Sequence, residues 1–313
     1  MSTLIDGSEA SLRKFLDTLP GVDKVGADQR AATLATRSIK TSSKSWAIDM
    51  AIQMVDLTTL EGADTEGKVR ALCAKAVHPD PRDFSVPSVG AVCVYNDLVR
   101  IARENLDLNG GSHIPVAAVT TAFPSGRASL KVKLQDTQDA LTDGATEIDM
   151  VIDRGAFLSG KLGLVFDEIK AVKEVCVNRA HLKVILETGE LVTYDNVRKA
   201  SFIAMLAGAD FIKTSTGKVS PAATPPVVLV MLEAVRDYYL QSGIHIGVKA
   251  AGGIRTTKDA IKLLVLINEI AGPEWLNPQL FRIGASGLLN DLLLQRMKLA
   301  TGYYSSSNYV TLD

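Results

Sequence analysis

One lysine within an apolar segment gives the clearest indication of chemistry in this sequence. Residues 209–217 read Ala-Asp-Phe-Ile-Lys-Thr-Ser-Thr-Gly and follow Gly208, a residue type that often ends a helix. In a β-strand, Lys213 would lie on the same face as Phe211 and Ser215. Burial lowers the pKa of a lysine because the ammonium group loses its hydration, and the neutral amine is a nucleophile. Such lysines form Schiff bases with carbonyl substrates.

The alternative is that Lys213 has no chemical role. A lysine at a strand end can lay its stem on apolar surface and extend its ammonium group into water. The choice depends on which other residues the fold brings close to it, and therefore on the elements that position them.

The predicted strands and helices alternate along most of the chain. Strands are predicted at residues 54–60, 89–95, 114–123, 146–152, 182–188, 209–215, 244–250 and 281–285, and a helical segment follows each of them. Eight such units in about 250 residues predict an α/β fold, a (β/α)8 TIM barrel. The alternative is a doubly wound open sheet, which usually has a Gly-rich turn after its first strand. Here that position reads Asp56-Leu-Thr-Thr-Leu60.

Two shorter regions flank the predicted barrel, which occupies residues 46–300. Residues 1–45 are predicted to form a helical N-terminal extension on the outside of the barrel, with a disordered tail as the alternative. An amphipathic helical pattern in this region follows Ser8 and stops at Pro20–Gly21. Residues 301–313 would form a C-terminal tail.

Composition argues against several classes of protein. The 34 basic and 35 acidic residues nearly cancel and aromatic residues make up 5% of the chain, which argues against a nucleic-acid partner. No apolar run reaches membrane-spanning length and the N-terminus lacks a secretory-signal pattern, so we expect a cytoplasmic protein without membrane association. Three scattered cysteines, and four histidines without HxH or HExxH spacing, argue against a disulfide framework and a metal site.

Polar residues fall at or near the predicted C-terminal ends of the strands, where barrels build their active sites. These residues are Asp56, Thr58, Cys93, Asp149, Lys183, Glu187, Lys213, Ser215 and Lys249. They could form a structural ion-pair network, which a protein interior tolerates when the charges are paired. Clustered charges in a cleft are also typical of catalytic sites, and in that case we expect Thr58, Cys93 and Lys183 to contact the substrate.

A Schiff-base aldol reaction gives each of the central charged residues a role. Lys213 would be the nucleophile. Lys249, on the next strand, would lower the pKa of Lys213 because like charges disfavour each other's charged forms. Asp149 would move protons directly or through water, and Asp56 would position Lys249 or the proton relay. The covalent lysine adduct replaces a separate cofactor.

Gly-rich turns after the seventh and eighth strands predict a phosphate site, because barrels often bind phosphate there. Glycines allow backbone N–H groups to approach an anion, and a helix N-terminus adds a favourable dipole. Each turn alone is a weak signal, but together they favour a phosphorylated substrate. The predicted substrate-binding and phosphate-binding residues in these turns and after the sixth strand are Thr216, Gly217, Lys218, Gly252, Gly253, Arg255, Gly284 and Ser286.

These motifs resemble those of the deoxyribose-phosphate aldolase family, which are class I aldolases with a barrel fold. The matching segments are Asp56-Leu-Thr-Thr-Leu60, Ala91-Val-Cys-Val-Tyr95, Glu147-Ile-Asp149, Leu186-Glu-Thr-Gly-Glu-Leu191, Phe211-Ile-Lys-Thr-Ser-Thr-Gly-Lys218, Lys249-Ala-Ala-Gly-Gly-Ile-Arg255 and Phe281-Arg-Ile-Gly-Ala-Ser286. The similarity runs through nearly the whole chain from about residue 46, and the longer N-terminal region resembles that of the eukaryotic branch.

The resemblance implies reversible cleavage of 2-deoxy-D-ribose 5-phosphate to D-glyceraldehyde 3-phosphate and acetaldehyde, without a metal. It makes Lys213 the Schiff-base lysine, and Lys249 and Asp149 the proton donor and acceptor groups. It also implies that seven of the turn residues hold the substrate and its phosphate: Thr216, Gly217, Lys218, Gly252, Gly253, Gly284 and Ser286.

Three departures from the family pattern are visible. Ala250 stands where the family usually has proline, which removes a rigid backbone angle after Lys249. Gly287 stands where the family commonly has Ser or Thr, which removes a hydroxyl from the phosphate site. The family often has a C-terminal tyrosine that reaches the active site, and here the candidates are Tyr303, Tyr304 and Tyr309. We expect an active enzyme with weaker phosphate affinity.

Other functions stay open at this point. The chain could be another Schiff-base barrel, such as a transaldolase or a fructose-bisphosphate-type aldolase. It could also be a catalytically silent barrel that serves as a binding or scaffold protein. Barrels of this kind often form homo-oligomers, although no sequence feature identifies an interface here.

Overall fold

A closed barrel of eight parallel strands forms the centre of the computed structural model, which describes residues 4–40 and 42–311. Neighbouring strands pair in chain order, and the eighth strand pairs with the first. The strands are β1 (Val55–Thr58), β2 (Ala91–Tyr95), β3 (Val116–Thr120), β4 (Glu147–Val151), β5 (His181–Ile185), β6 (Phe211–Lys213), β7 (Gly247–Ala251) and β8 (Phe281–Ala285). The predicted (β/α)8 barrel is therefore confirmed.

Helices follow every strand and surround the barrel. Those within the described residues are α1 (Glu9–Asp17), α2 (Lys24–Leu34), α3 (Ser42–Met54), α4 (Glu66–Val77), α5 (Val99–Leu108), α6 (Leu130–Thr142), α7 (Arg154–Leu158), α8 (Leu162–Cys176), α9 (Tyr194–Leu206), α10 (Pro225–Ser242), α11 (Thr257–Ile270) and α12 (Leu288–Thr301). None of the helices in these ranges combines the length and the apolar character needed to cross a membrane.

The strands are buried on both faces, as parallel sheets usually are. Outward-facing residues such as Val92, Val248 and Ile283 are fully buried under the helices and belong to the main apolar core. Side chains alternate across a strand, so the residues next to them point into the barrel. Cys93 is one of these, and it packs in a second, smaller apolar cluster with Ala117.

The N-terminal extension is helical in the described residues. α1 begins after Ser8, whose hydroxyl accepts a hydrogen bond from the Ser11 backbone, and it buries Leu12 and Leu16. α2 packs against α10, with an ion pair of 2.6 Å between Arg30 and Glu233. α3 runs directly into β1 and crosses the predicted boundary at residues 45 and 46. The division into extension, barrel and tail stays a prediction.

Seven of the eight strands are shorter than predicted, and β5 and β6 end next to residues of the predicted site. β6 ends at Lys213, although a strand was predicted to continue to Ser215. The Thr214 hydroxyl accepts a hydrogen bond from the Ala251 backbone N–H at 3.0 Å and donates to the Ala251 carbonyl at 3.2 Å. β5 ends at Ile185, and Glu187 has a left-handed backbone with φ 54°. The chain therefore leaves the sheet earlier, at the mouth of the barrel.

Gly247 on β7 pairs in register with Phe211 on β6, and the Phe211 ring packs directly against it. A Cβ on Gly247 would lie between 2.2 and 2.5 Å from three atoms of the Phe211 ring, whereas a Cβ on Gly62 would have no neighbour within 4 Å. We expect Gly247→Ala to lower the free energy of unfolding by about 1–3 kcal/mol. The matched variant Gly62→Ala should change it by about 0.5 kcal/mol or less. Urea unfolding measures both, and equal stability of the two variants would contradict this packing.

Candidate active site

A network of charged side chains lies inside the barrel. Each of its members is at most 7% exposed: Asp56 on β1, Glu147 and Asp149 on β4, Lys183 on β5, Lys213 on β6, Lys249 on β7 and Arg282 on β8. The network contains four potential cations and three acids. Because charged groups in a protein interior are stable only when they are paired, the excess of one base favours a neutral form of one lysine.

Asp149 lies at the centre of this network. Its Oδ2 accepts hydrogen bonds from Lys213 Nζ and Lys249 Nζ, both at 2.8 Å. Its Oδ1 lies 3.2 Å from Lys183 Nζ. The structure therefore brings the predicted lysine pair and the predicted proton-transfer carboxylate into direct contact.

Strand register explains why these groups meet. Lys213 on β6 is paired with Lys249 on β7, and Asp149 on β4 is paired with Lys183 on β5. Residues paired in register on adjacent parallel strands point to the same face of the sheet. In a closed barrel that face is the interior, so side chains from non-adjacent strands such as β4 and β7 also come within hydrogen-bonding distance.

The two lysines have opposite pKa shifts. Burial lowers the pKa of Lys213, the Asp149 carboxylate opposes this, and the charge of Lys249 adds to the lowering, so the pKa stays below its ordinary value. Burial acts on Lys249 in the same direction, but the carboxylates of Asp149 and Asp56 outweigh it. They hold the pKa of Lys249 well above its ordinary value. Lys213 is therefore the more readily available nucleophile.

Asp56 holds Lys249 in place. Asp56 Oδ2 lies 2.5 Å from Lys249 Nζ, and Asp56 Oδ1 accepts a hydrogen bond from Arg282 Nη1 at 2.7 Å. Burial favours the protonated forms of Asp56 and Asp149. The surrounding cations outweigh this effect, so the pKa of each carboxyl group lies below its ordinary value. Both carboxyl groups are therefore ionised in the unliganded site. The predicted position of Asp56 beside Lys249 agrees with this geometry.

Sequence reasoning missed Arg282 and Glu147 as members of the network. Arg282 Nη2 donates to Glu147 Oε1 at 3.1 Å, and Glu147 also accepts a hydrogen bond from Lys183. Strand alternation contained the signal, because Glu147 lies two residues before Asp149, and Arg282 lies two residues before Gly284. These side chains point into the barrel at a deeper level than the strand ends. The sequence prediction considered only residues at the strand ends.

Above the network lies a cavity of about 830 Å³, and Lys213 is the member of the network that lines it. The predicted residues that also line the cavity are Thr58, Thr216, Gly217, Lys218, Gly252, Gly253, Arg255, Gly284 and Ser286. Lys183 and Cys93 are fully buried and are not part of its lining. Lys183 binds Glu147 and Asp149, and Cys93 Sγ lies 4.0 Å from Asp149 Oδ2. Both residues therefore support the network from below the cavity.

Two glycine-containing turns at the cavity wall have geometry suited to presenting backbone N–H groups to an anion. Gly252 and Gly253 are both left-handed, with φ of 83° and 84°, so the chain turns tightly at this edge of the cavity. Gly287 precedes α12 and makes no side-chain capping bond, which leaves the first N–H groups of that helix available. α11 differs, because Thr256 and Asp259 form a capping box at its start. The cavity-facing start of α12 is therefore the better candidate for an anion site.

Two departures from the family pattern can be located. Ala250 is fully buried within β7, where it pairs in register with Ile283, so the strand remains regular beside Lys249. The three candidate tyrosines are 60% to 80% exposed and none lines the cavity. Arg82 binds the Tyr309 carbonyl at 3.0 Å and Lys75 binds the Thr311 carbonyl at 2.7 Å, so both contacts hold the C-terminal segment against the barrel.

In the part of the chain that the structure describes, no group of three or more His, Cys, Asp or Glu residues is arranged to hold a metal ion. The carboxylates inside the barrel have cationic side chains as neighbours instead. The functional groups that face the cavity include the Lys213 amine, hydroxyls, cationic side chains, the Asn290 amide and the Glu61 carboxylate.

Comparison with known proteins agrees with this architecture. The model of the DeoC/LacD aldolase family matches residues 50–292. A deoxyribose-phosphate aldolase of Homo sapiens is 46% identical over 280 residues, which cover 87% of this chain and 87% of the relative. The corresponding protein of Bos taurus is 44% identical over 294 residues, which cover 91% and 92%.

A solved structure shows the same fold. The tetrameric deoxyribose phosphate aldolase from Aeropyrum pernix has a TM-score of 0.62 and 24% sequence identity, with coverage of 84% of this chain and 100% of that chain. The family model matches most of the chain, and the mammalian relatives are similar over nearly all of it. The chain therefore belongs to the DeoC/LacD aldolase family.

Proposed function

We propose that this protein is a Schiff-base aldolase that reversibly cleaves 2-deoxy-D-ribose 5-phosphate to D-glyceraldehyde 3-phosphate and acetaldehyde. The observation that carries the proposal is the position of Lys213, a buried amine that lines the cavity and contacts Asp149 at 2.8 Å. The two mammalian relatives described above, whose names state this substrate, support the choice of substrate.

The first step is attack of the neutral Lys213 amine on the aldehyde carbon of the open-chain sugar. A C–N bond forms, the carbonyl oxygen takes up a proton, and the amine nitrogen loses one, which gives a carbinolamine. Loss of the hydroxyl group as water gives the iminium ion. Asp149 is within hydrogen-bonding distance of Lys213 Nζ and can transfer protons in both steps, directly or through water.

Charge changes at Lys213 tune the basicity of Asp149. While Lys213 is an ammonium ion, it is one of the cations that hold the pKa of Asp149 down. When the neutral carbinolamine replaces this cation, the pKa of Asp149 rises and the carboxylate becomes a better proton acceptor. The iminium ion restores the positive charge and favours release of that proton. Lys249 is an ammonium ion in the unliganded site, because Asp149 and Asp56 stabilise its charge, and it regains that charge after each proton that it transfers.

The iminium ion then accepts the electrons of the breaking C2–C3 bond. A base removes the proton of the C3 hydroxyl, C3 leaves as the aldehyde carbon of D-glyceraldehyde 3-phosphate, and the two-carbon enamine stays on Lys213. Protonation of the enamine at C2 and hydrolysis release acetaldehyde and regenerate the amine. Asp149 and Lys249 are the proposed proton-transfer groups, with Asp56 positioning Lys249.

The phosphate group would lie at the start of α12, beside the Gly252–Gly253 turn. Lys218 and Arg255 line the same cavity and supply positive charge. This arrangement favours a phosphorylated aldehyde over an uncharged one. A transaldolase is the second Schiff-base candidate, but the relatives at 44% and 46% identity favour the deoxyribose phosphate. A silent scaffold would have no need for a buried amine that faces a cavity.

The proposal also includes a place in deoxyribose phosphate and nucleoside catabolism, a cytoplasmic location and a homo-oligomeric state. Two classes of reaction would supply deoxyribose 5-phosphate. One moves a phosphate group from another position of deoxyribose to the 5-hydroxyl, and the other phosphorylates the 5-hydroxyl directly. The relative from Aeropyrum pernix is described as a tetramer. Light scattering of the purified chain measures its oligomeric state directly.

Covalent trapping tests the identity of the nucleophile. With acetaldehyde and borohydride, the wild-type protein should gain one reduced two-carbon adduct on Lys213, detectable by peptide mass spectrometry. Lys213→Ala should lose this adduct and at least about 10³-fold in kcat, because no other amine replaces the covalent step. The control is Lys218→Ala, which removes another lysine that lines the cavity and should still be labelled on Lys213. Equal labelling of wild type and Lys213→Ala would exclude the assignment.

The pH dependence of trapping tests the role of Lys249. Its charge contributes to lowering the pKa of Lys213, so Lys249→Met should raise that pKa. Protonation of Lys213 then begins at higher pH on acidification, and the acidic limb of the trapping rate should move to higher pH. Cyanoborohydride trapping with acetaldehyde across a pH series measures this. An unchanged limb, or one moved to lower pH, would show that Lys249 does not depress the pKa of Lys213.

Substrate charge tests the phosphate site. Lys218→Ala should raise KM for deoxyribose 5-phosphate about tenfold or more and leave KM for 2-deoxyribose nearly unchanged, because only the former has the anion. Lys68 is a matched control, because it also lines the cavity. Its partner Asp64 is only 2% exposed and holds it in a partly buried ion pair, whereas Glu61, the partner of Lys218, is 66% exposed. Lys68→Ala should therefore have the smaller effect. Equal increases of KM for both substrates would contradict the proposed phosphate contact.

A further inference from the structure

Glu187 is a buried carboxylate to which the reaction described above gives no role. It follows β5, is fully buried, and has a left-handed backbone with φ 54°, which is unfavourable for a residue other than glycine. It is not part of the lining of the cavity. A costly backbone conformation around a buried charge is retained when the side chain has a specific partner.

That partner is Thr216, at the start of the loop between β6 and α10. The Thr216 hydroxyl donates to Glu187 Oε2 at 2.5 Å, and the Thr216 backbone N–H donates to Glu187 Oε1 at 3.2 Å. The Thr216 hydroxyl oxygen in turn accepts a hydrogen bond from the Lys218 backbone N–H at 3.1 Å. Glu187 therefore orients Thr216, and Thr216 orients the backbone at Lys218.

Arg154 neutralises Glu187 and connects it to two further loops. Arg154 Nη1 lies 3.3 Å from Glu187 Oε2, and Arg154 also donates to the carbonyls of Pro124 and Ser125, each at 3.1 Å. The loops after β3, β4, β5 and β6 are thus joined through one ion pair. The Arg154 guanidinium, which Glu187 shares with Glu190, offsets part of the negative charge that would otherwise repel an anionic substrate.

We infer that Glu187 is a positioning residue for the phosphate end of the substrate: it holds Thr216, and through Thr216 the backbone at Lys218, in place beside the cavity. The inference rests on the proposed function, because it takes the cavity to bind a phosphorylated sugar. Glu187 itself touches neither the substrate nor Lys213. Its loss should therefore weaken binding of the phosphate group and leave the chemistry of the Lys213 amine intact.

The carboxylate is a better acceptor for Thr216 than its neutral replacement. Glu187→Gln keeps one carbonyl oxygen that can accept the Thr216 hydroxyl, but it loses the second acceptor and the charge that faces Arg154. Glu187→Ala removes every acceptor. The two variants should therefore form a graded series, with the larger effect for alanine.

The experiment measures KM and kcat for deoxyribose 5-phosphate and for 2-deoxyribose, and the rate of Lys213 trapping by acetaldehyde and borohydride, all on the full chain. Glu187→Ala should raise KM for the phosphorylated substrate about tenfold or more, and Glu187→Gln should raise it less. KM for 2-deoxyribose and the trapping rate should stay within about twofold of wild type. This separation between substrates is not expected from a residue that only stabilises the fold.

Glu190→Gln is the matched control. Glu190 is also a glutamate bound to Arg154, with Oε2 2.8 Å from Arg154 Nε, but it makes no hydrogen bond to Thr216. Its substitution should leave KM for both substrates within about twofold. An increase equal to that of Glu187→Gln would overturn the inference, because the effect would then depend on Arg154 alone.

A double variant tests whether Glu187 acts through Thr216. Thr216→Val removes the hydroxyl, and the combination of Thr216→Val with Glu187→Gln should raise KM no more than the larger single effect. Fully additive increases would overturn the inference, as would equal effects of Glu187→Gln on both substrates. Glu187→Gln and Thr216→Val keep the test valid if Glu187→Ala does not fold. A wild-type protein that neither cleaves deoxyribose 5-phosphate nor traps acetaldehyde would overturn the proposed function as well.

Discussion

Asp149 is the carboxylate on which the arrangement of the site depends, because it contacts the amines of Lys213, Lys249 and Lys183. Without it, three bases would lie together in a protein interior with too little negative charge nearby. With it, two lysines with different surroundings acquire different properties. Lys249 is shared between Asp149 and Asp56 and remains charged, whereas Lys213 has Asp149 as its ion-pair partner and its pKa is lowered.

Closure of the barrel increases the difference between the pKa values of Lys213 and Lys249. Water screens charges efficiently, but the interior of the barrel excludes it, so each neighbour changes a pKa more than it would at the surface. Arg282 and Glu147 extend the network away from the cavity and hold Asp56 and Lys183. The catalytic interpretation and the structural ion-pair interpretation are therefore not exclusive, because the same ion pairs that neutralise charges in the barrel interior also determine which lysine has the lowered pKa.

In the proposed function, the loops perform a separate task, which is recognition of the phosphate. The start of α12 and the Gly252–Gly253 turn offer backbone N–H groups, and the loop after β6 brings Lys218 to the same cavity. Glu187 and Arg154 connect that loop to its neighbours from behind. In this proposal, substrate binding and amine chemistry use different layers of the same barrel mouth, so we expect a substitution to affect one and leave the other unchanged.

The sequence by itself determined the alternation of eight strands and helices, the apolar segment around Lys213, and the glycines of the turns. These features depend on local periodicity and on residue type, which can be read without coordinates. Only the tertiary structure decided which charges meet. Asp149 and Lys249 are 100 residues apart, and Arg282 and Asp56 are 226 residues apart, so closure of the barrel creates their contacts. The pKa shifts, the deeper position of Arg282 and the contact of Glu187 with Thr216 depend on burial and distance, which no local pattern encodes.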